Sequence, residues 1–204
     1  MNEKFFSLPH EKQQAILNAG YRVFSQNSYK NSPMSEIADE AGISKSLLFH
    51  YFHNKKELYL YLWNHCAQVT IEQLTAAGCY EKEDVFEMMY SGMQAKLRIL
   101  RQHPDLGSFV IRAFCERDPA VRKDIQTSYL QAMDQKANTA KLKLDPAQFV
   151  EGLDIQMMYR EMFLASEGYL WEKVQWGELN LEAMERDFSG MIEFWKKIYL
   201  RKEE

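Results

Sequence analysis

The chain is poor in the residues that interrupt regular structure. Only 9 Gly and 5 Pro occur among its 204 residues, and no strand-like alternation of apolar and polar positions persists. This scarcity argues against a turn-rich β architecture. Apolar residues instead recur at three- and four-residue spacing along most of the chain, which predicts an all-α protein of about nine helices.

Cysteines and long apolar runs are also scarce. Cys66, Cys79 and Cys115 are odd in number, far apart and without CxxC spacing. We therefore expect reduced thiols rather than a disulfide framework or a zinc site. No run approaches the roughly 18 apolar residues of a membrane-spanning helix, and the first residues lack a signal-peptide core. These absences predict a cytoplasmic protein.

Charge and motifs narrow the function further. The formal net charge of −4 argues against a nonspecific coat protein for nucleic acid. It does not exclude sequence-specific DNA binding, because a few cations aimed at phosphates suffice and helix N-termini add partial positive charge. No phosphate loop, nucleophile elbow or HExxH motif occurs. We therefore expect no enzyme activity, no cofactor and no metal.

Two short helices flank a glycine turn near the N-terminus. The pattern predicts helices at 34–40 and 45–52, with Ser32 capping the first and Ser44 capping the second. Gly42 supplies the left-handed turn between them. A helix of about eight residues, a turn with Gly and a second short helix form a helix-turn-helix.

Further helices are expected on both sides of this motif. They are predicted at 8–26, 54–77, 82–102, 105–116, 118–141, 145–175 and 181–200. A domain boundary is expected near residues 53–55. It separates a DNA-binding domain at 1–53 from a larger helical domain at 54–204.

Four short runs carry a resemblance to a known family. They are Ile37-Ala38, Ala41-Gly42-Ile43-Ser44, Phe49-His50-Tyr51-Phe52 and Lys55-Lys56-Glu57-Leu58. At this spacing, residues 16–59 resemble the DNA-binding domain of the tetracycline-repressor (TetR) family. The resemblance implies a three-helix helix-turn-helix domain followed by an effector-binding and dimerisation domain. It also implies a homodimer that binds a palindromic double-stranded operator and leaves it when a small molecule binds, most often as a repressor.

The second short helix is expected to enter the major groove. Lys45 can donate to guanine and Ser46 can reach several bases, whereas the resemblance assigns Tyr51 and Lys55 to phosphates. Phe49 stands where the family more often has Tyr, so a hydroxyl contact is lost there. The predicted DNA-binding residues are Ser35, Ser44, Lys45, Ser46, Phe49, His50, Tyr51 and Lys55. A metal site at His50 and His53 is conceivable, but no third ligand is apparent nearby.

The second domain is rich in Met and aromatic residues, which suit either an ordinary core or an adaptable pocket. We expect an effector with apolar or aromatic surface at Phe109, Phe114, Met133, Met157, Arg160, Phe163, Glu167 and Trp171. Arg160 and Glu167 are charges within an apolar row, and burying them unpaired is costly. They either pair across a dimer interface or face a cavity that holds the effector.

The last helix carries a strong apolar stripe at i, i+3 and i+4 spacing, which requires a packing partner. The resemblance implies that the last two long helices of each subunit form a four-helix dimer interface. The residues expected in it are Leu181, Met184, Phe188, Met191, Ile192 and Trp195. Packing within its own chain is the alternative.

Two rival functions are compatible with a helical chain that contains this motif. The first is a helical enzyme with an incidental helix-turn-helix, which turnover of a candidate metabolite would reveal. The second is a ligand-independent architectural DNA-binding protein, which should be more basic than this chain. A DNA-binding titration with and without small molecules distinguishes it from a ligand-controlled regulator.

Overall fold

A computed structural model describes residues 3–141, 144–177 and 180–202, with the backbone alone for 133–141. Regular structure in these ranges is helical, apart from one isolated antiparallel bridge between Phe149 and Leu200. The α-helices are α1 Glu3–Phe6, α2 His10–Gln26, α3 Met34–Glu40, α4 Lys45–Tyr51, α5 Lys55–Ala76, α6 Val85–Gln102, α7 Pro104–Phe114, α8 Arg122–Lys141, α9 Ile155–Gln175 and α10 Leu181–Tyr199. The all-α prediction is confirmed. None of the helices searched in these ranges combines the length and apolarity that crossing a bilayer requires.

Contacts divide the chain into two compact units. The first contains residues 1–69 and 102–129, and the second contains residues 70–101 and 130–204. Helices α5 and α8 each contribute residues to both units. The helix-turn-helix segment at 1–53 lies within the first unit, and a functional boundary near residues 53–55 stays a prediction.

The core of the first unit is largely aromatic. Helix α2 packs against α3 and α7 and buries Ile16, Leu17 and Phe24 on its inner face. The Tyr59 ring lies edge-on to Phe24 and Phe109, with ring centroids 4.8 and 5.1 Å apart. Edge-to-face pairs of this kind add about 0.5–1.5 kcal/mol each beyond the area that they bury. The inner face of α2 therefore belongs to this core.

The core of the second unit combines methionines with aromatic residues. Helices α6, α9 and α10 supply most of it: Val85, Phe86, Met89, Met93, Leu97, Met158, Tyr159, Met162, Leu170, Met184, Phe188, Ile192 and Trp195, with Phe149 from the segment before α9. Unbranched Met side chains adapt to irregular spaces. The core of this unit can therefore change its packing more easily than a core of branched residues can.

The start of α9 differs from the prediction. A helix was expected from residue 145, but Pro146–Gln148 form only a single 3₁₀ turn and α9 begins at Ile155. Gly152 has a φ of +75°, a left-handed conformation that ends regular helix. Asp154 then caps α9, because its carboxylate accepts a hydrogen bond from the Met157 amide at 3.0 Å.

Two local predictions near the N-terminus also require correction. Helix α1 was not predicted. Ser32 does not cap α3, because its hydroxyl donates to the Ser28 carbonyl at 2.9 Å and Pro33 occupies the N-cap position. The serine is fully buried and closes the turn that precedes α3.

Candidate nucleic-acid interface

A tight turn sets the start of α4. Gly42 adopts a φ of +66°, and the Ile43 amide donates to the Ala38 carbonyl at 3.0 Å. The Ser44 hydroxyl accepts a hydrogen bond from the Leu47 amide at 3.2 Å. The predicted glycine turn and serine cap are both confirmed. Together they determine which residues occupy the first turn of α4.

Helix α4 has one buried and one exposed face. Leu48 and the following Phe52 are fully buried, as their four-residue spacing predicts. The exposed residues are Lys45, Ser46, Leu47, Phe49 and His50. They lie on the N-terminal and outer parts of the helix, which are the parts that a recognition helix presents to base edges.

The N-terminal helix α1 packs against the C-terminal end of α4, a contact that the sequence patterns do not predict. Phe5 is fully buried, and its ring centroid lies 5.0 Å from that of Phe52 and 6.1 Å from that of Tyr51. The signal in the sequence was the Phe5-Phe6 pair, which is too short to show a helical period. Helix α1 thus buries the end of α4 without covering its outer face.

The residues predicted to contact phosphates or the backbone lie in mixed environments. Ser35 is half-buried in the first turn of α3. Tyr51 keeps only 7% of its surface exposed, which leaves little of it available to a duplex. Its role as a phosphate contact stays a prediction, with Lys45 and Ser46 better exposed.

Lys55 holds the turn before α3. Its ammonium donates to the carbonyls of Lys30 and Ser32 at 3.0 and 3.2 Å and lies 4.8 Å from the centroid of the Tyr29 ring. An ammonium has three donors, so two carbonyl contacts leave room for a third partner. Lys55 therefore positions the helix-turn-helix whether or not it also meets a phosphate.

The same turn is held from α7 and the loop after it. The Tyr29 amide donates to the Glu116 carboxylate at 2.6 Å, and Arg112 donates to the Ser25 carbonyl at 2.7 Å. Glu116 also accepts hydrogen bonds from the amides of Arg117 and Asp118. The hydrogen bonds from Tyr29 to Glu116 and from Arg112 to Ser25 each join residues 87 positions apart in sequence. No local pattern could have predicted them.

No metal site is apparent in this region. His53 pairs through Nδ1 with the Glu57 carboxylate at 2.8 Å. Across the described part of the chain, no group of three or more His, Cys, Asp and Glu side chains could hold a metal ion.

Comparisons with known proteins place this motif in a family. Residues 16–62 match the model for bacterial regulatory proteins of the tetR family. The match covers 47 of the 204 residues, and this segment is what is similar to the tetR family. The resemblance carried by residues 16–59 is thereby confirmed.

The relatives are transcriptional regulators. The regulator RutR of Escherichia coli K12 is 24% identical to this chain over 128 residues, which span 62% of this chain and 58% of RutR. A TetR-like regulator from Rhodococcus sp. RHA1 superposes with a TM-score of 0.67 at 20% identity, covering 93% of this chain and 97% of the other. The FadR regulator of Bacillus subtilis, solved with stearoyl-CoA, gives 0.66 at 17% identity, with coverages of 89% and 96%. The two structures establish the shared fold.

The structure does not bring the eight predicted effector residues together. Phe109 is fully buried in the first unit, and Phe114 is exposed there with its ring 4.8 Å from that of Tyr129. Met157, Arg160 and Trp171 are exposed on α9. The Met133 side chain lies outside the described residues. Phe163 lines a cavity in the second unit, and Glu167 pairs with Lys96, another lining residue of that cavity.

This cavity has a volume of about 50 Å³. Its lining includes Met88, Met89, Met93, Lys96, Tyr159 and Phe163. Lys96 was not predicted, because its partner Glu167 lies 71 residues away in sequence and the pairing of α6 with α9 leaves no local signal. Burial raises the pKa of the Tyr159 hydroxyl to about 12, so Tyr159 stays protonated near neutral pH.

Four of the six residues predicted for a dimer interface lie in the core of their own chain. Met184, Phe188, Ile192 and Trp195 are buried in the core of their own chain, so they offer no surface to a partner. Leu181 and Met191 are partly buried against the same core. The apolar period of α10 was real, but periodicity cannot distinguish an intrachain core from an interface.

Proposed function

We propose that this chain is a transcriptional regulator that binds DNA through α4 and acts in the cytoplasm as a repressor. The exposed outer face of α4, with Lys45 and Ser46 in its capped first turn, carries the proposal. A lysine there can donate to the O6 and N7 atoms of guanine, and a serine can reach several bases. The names of the relatives, all regulators, agree with this function.

The proposed active species is a homodimer. Helix α9 exposes Met157, Leu164 and Trp171 at 61%, 48% and 42%, and these residues recur every seven positions along one face. Helix α10 exposes Phe194 and Ile198 on the side away from its core. Seven-residue spacing suits packing of helix against helix. A second copy that packs on these faces would bury them and present two copies of α4 to a duplex.

A small effector would control DNA binding. The cavity in the second unit, with its flexible Met lining, is the proposed effector site. Helices α5 and α8 each contribute residues to both units. A shift of either helix when the effector binds can therefore change the position of α4 in each subunit of the proposed dimer. Such coupling requires that the effector bind the released state more tightly than the DNA-bound state.

Substitution of Lys45 tests the DNA-binding proposal. An operator is first selected from random duplexes by the full chain, and the affinities of variants for it are measured by fluorescence anisotropy at fixed salt. Loss of a base contact costs about 1–3 kcal/mol, so Lys45→Ala should bind the operator at least about fivefold more weakly and change the ranking of half-site variants. Lys123→Ala, which removes an exposed lysine of α8, should match the parent. Equal affinities and rankings for both variants would exclude α4 as the reading element.

A further inference from the structure

The strongest feature outside the DNA-binding face is the charged pair beside the cavity of the second unit. Lys96 of α6 donates to the Glu167 carboxylate of α9, and the two side chains are 20% and 34% exposed. The Lys96 ammonium also lies 5.2 Å from the centroid of the Phe163 ring. Lys96 and Phe163 line the cavity, whereas Glu167 does not. The lysine of the pair therefore forms part of the cavity wall, and Glu167 is the more exposed of the two.

The other polar groups of the lining are mostly donors. The hydroxyls of Tyr80 and Tyr159 belong to cavity-lining residues, and burial raises the pKa of both, so both stay protonated and can donate. The Ser166 hydroxyl already donates to the Met162 carbonyl at 2.6 Å. The Lys96 ammonium and the two tyrosine hydroxyls favour a ligand that accepts hydrogen bonds and carries negative charge.

The present volume is too small for such a ligand. A cavity of about 50 Å³ has room for one or two waters, since each takes about 30 Å³ in the liquid. Occupied small-molecule sites commonly measure about 300–1,000 Å³. Met88, Met89 and Met93 line the space, and their unbranched side chains can adopt other rotamers at low cost. The cavity is thus small, but the side chains around it permit it to widen.

We propose that the effector is an apolar molecule with a carboxylate head group, which replaces Glu167 as the partner of Lys96. This inference rests on the proposed function and specifies the chemistry of its effector. Glu167 already places a carboxylate against Lys96, so the effector would replace one carboxylate partner of Lys96 with another. Glu167 is released toward solvent, where its charge costs little. A cationic head group would meet Lys96 inside the cavity and be repelled.

Three probes with the same ten-carbon chain separate the head groups: decanoate, 1-decanol and decyltrimethylammonium. Their binding to the full chain without DNA is measured by titration calorimetry below their micelle concentrations. Decanoate should bind most tightly, about tenfold more so than decanol, because a charge-assisted hydrogen bond contributes more than a neutral one. Equal affinities, a preference for the cation, or no binding of decanoate would overturn the inference.

Two substitutions should change decanoate binding in opposite directions. Lys96→Gln should weaken it about tenfold and leave decanol binding unchanged. Glu167→Gln should strengthen it, because Lys96 loses its competing carboxylate. A pair that only stabilises the fold would not give these opposite signs. Lys196→Gln, which breaks an exposed pair with Glu193 on α10, is the matched control and should bind like the parent.

The readouts separate this inference from the function on which it rests. If Lys96→Gln loses its helical circular dichroism signal, the test rests on Glu167→Gln alone. A decanoate affinity of Glu167→Gln that is weaker than or equal to that of the parent would then contradict the inference. Release of the selected operator is measured separately. Decanoate that binds with both predicted sign changes but leaves the operator bound would refute effector control and leave the site intact. If other compounds release the operator but decanoate does not bind, the proposed carboxylate site is refuted and effector control of DNA binding is not.

Discussion

At the residue scale, Tyr59 combines a well-packed ring with an unsatisfied hydroxyl. Its ring lies between Phe24, Tyr29 and Phe109. Its hydroxyl is buried and, among the described residues, has no hydrogen-bond partner. Desolvation raises the pKa of this hydroxyl, and the nearby Glu116 carboxylate raises it further. A buried polar group without a partner costs about 1–3 kcal/mol.

Tyr59→Phe should therefore keep or increase the free energy of unfolding, by up to about 1 kcal/mol, because it removes the hydroxyl and keeps the ring. Urea denaturation of the full chain measures the effect. Tyr21→Phe is the control, because the Tyr21 hydroxyl lies 2.6 Å from His65 Nδ1, and its loss should cost about 1 kcal/mol. An equal loss of stability in both variants would contradict the assignment at Tyr59.

Single residues were predictable where their role is local. Gly42 and Ser44 follow from turn and capping chemistry, and Leu48 follows from helical spacing. Lys96 and Glu116 did not stand out, because their partners Glu167 and Tyr29 lie 71 and 87 positions away. Their function depends on tertiary packing, which one sequence does not specify.

At the scale of elements, the exposed side of α9 is the apolar surface proposed for the dimer contact. Its apolar residues Met157, Leu164 and Trp171 align at seven-residue spacing, and the intervening Gly168 has open space at its Cβ position. A small residue in such a row lets another helix approach closely. Because α10 turns its own strongest stripe inward, α9 should supply much of the contact in the proposed dimer.

Leu164→Glu should therefore give a monomer at concentrations where the parent is a dimer, because it places a charge in the middle of an apolar interface. Sedimentation velocity measures the change. Leu130→Glu is the matched control: this residue of α8 is 58% exposed and lies outside the proposed contact, so its variant should stay dimeric. If Leu164→Glu also remained a dimer, the interface would lie elsewhere.

Helix positions were predicted more reliably than helix starts. Helix α3 has the predicted bounds, and α4 ends one residue earlier than expected, since caps and glycines mark these ends. The start of α9 was wrong because Pro146 is equally suited to a single turn and to a long helix. The position of Gly152 and the capping by Asp154 decided between these alternatives. The apolar stripe of α10 was correct as a pattern, but four of the six residues expected at an interface pack in the core of their own chain.

At the scale of the whole molecule, a net charge of −4 makes broad electrostatic attraction to DNA weak. In the proposed dimer, binding would then depend on a small outer face of α4 that is presented twice. Two linked heads bind one duplex far more tightly than either does alone, because the second contact is intramolecular. Two-fold symmetry of the protein should appear as symmetry in the operator.

Directed cleavage of the operator tests this central claim most directly. An iron chelate is attached at Ser46→Cys on α4 in a Cys115→Ser background, since Cys115 is exposed whereas Cys66 and Cys79 are buried. A second chelate at Lys123→Cys serves as the reference. We predict that the α4 probe cuts the selected operator in two clusters related by its centre of symmetry, and that the reference probe does not. A single cluster, or no more cutting from α4 than from the reference, would contradict the account.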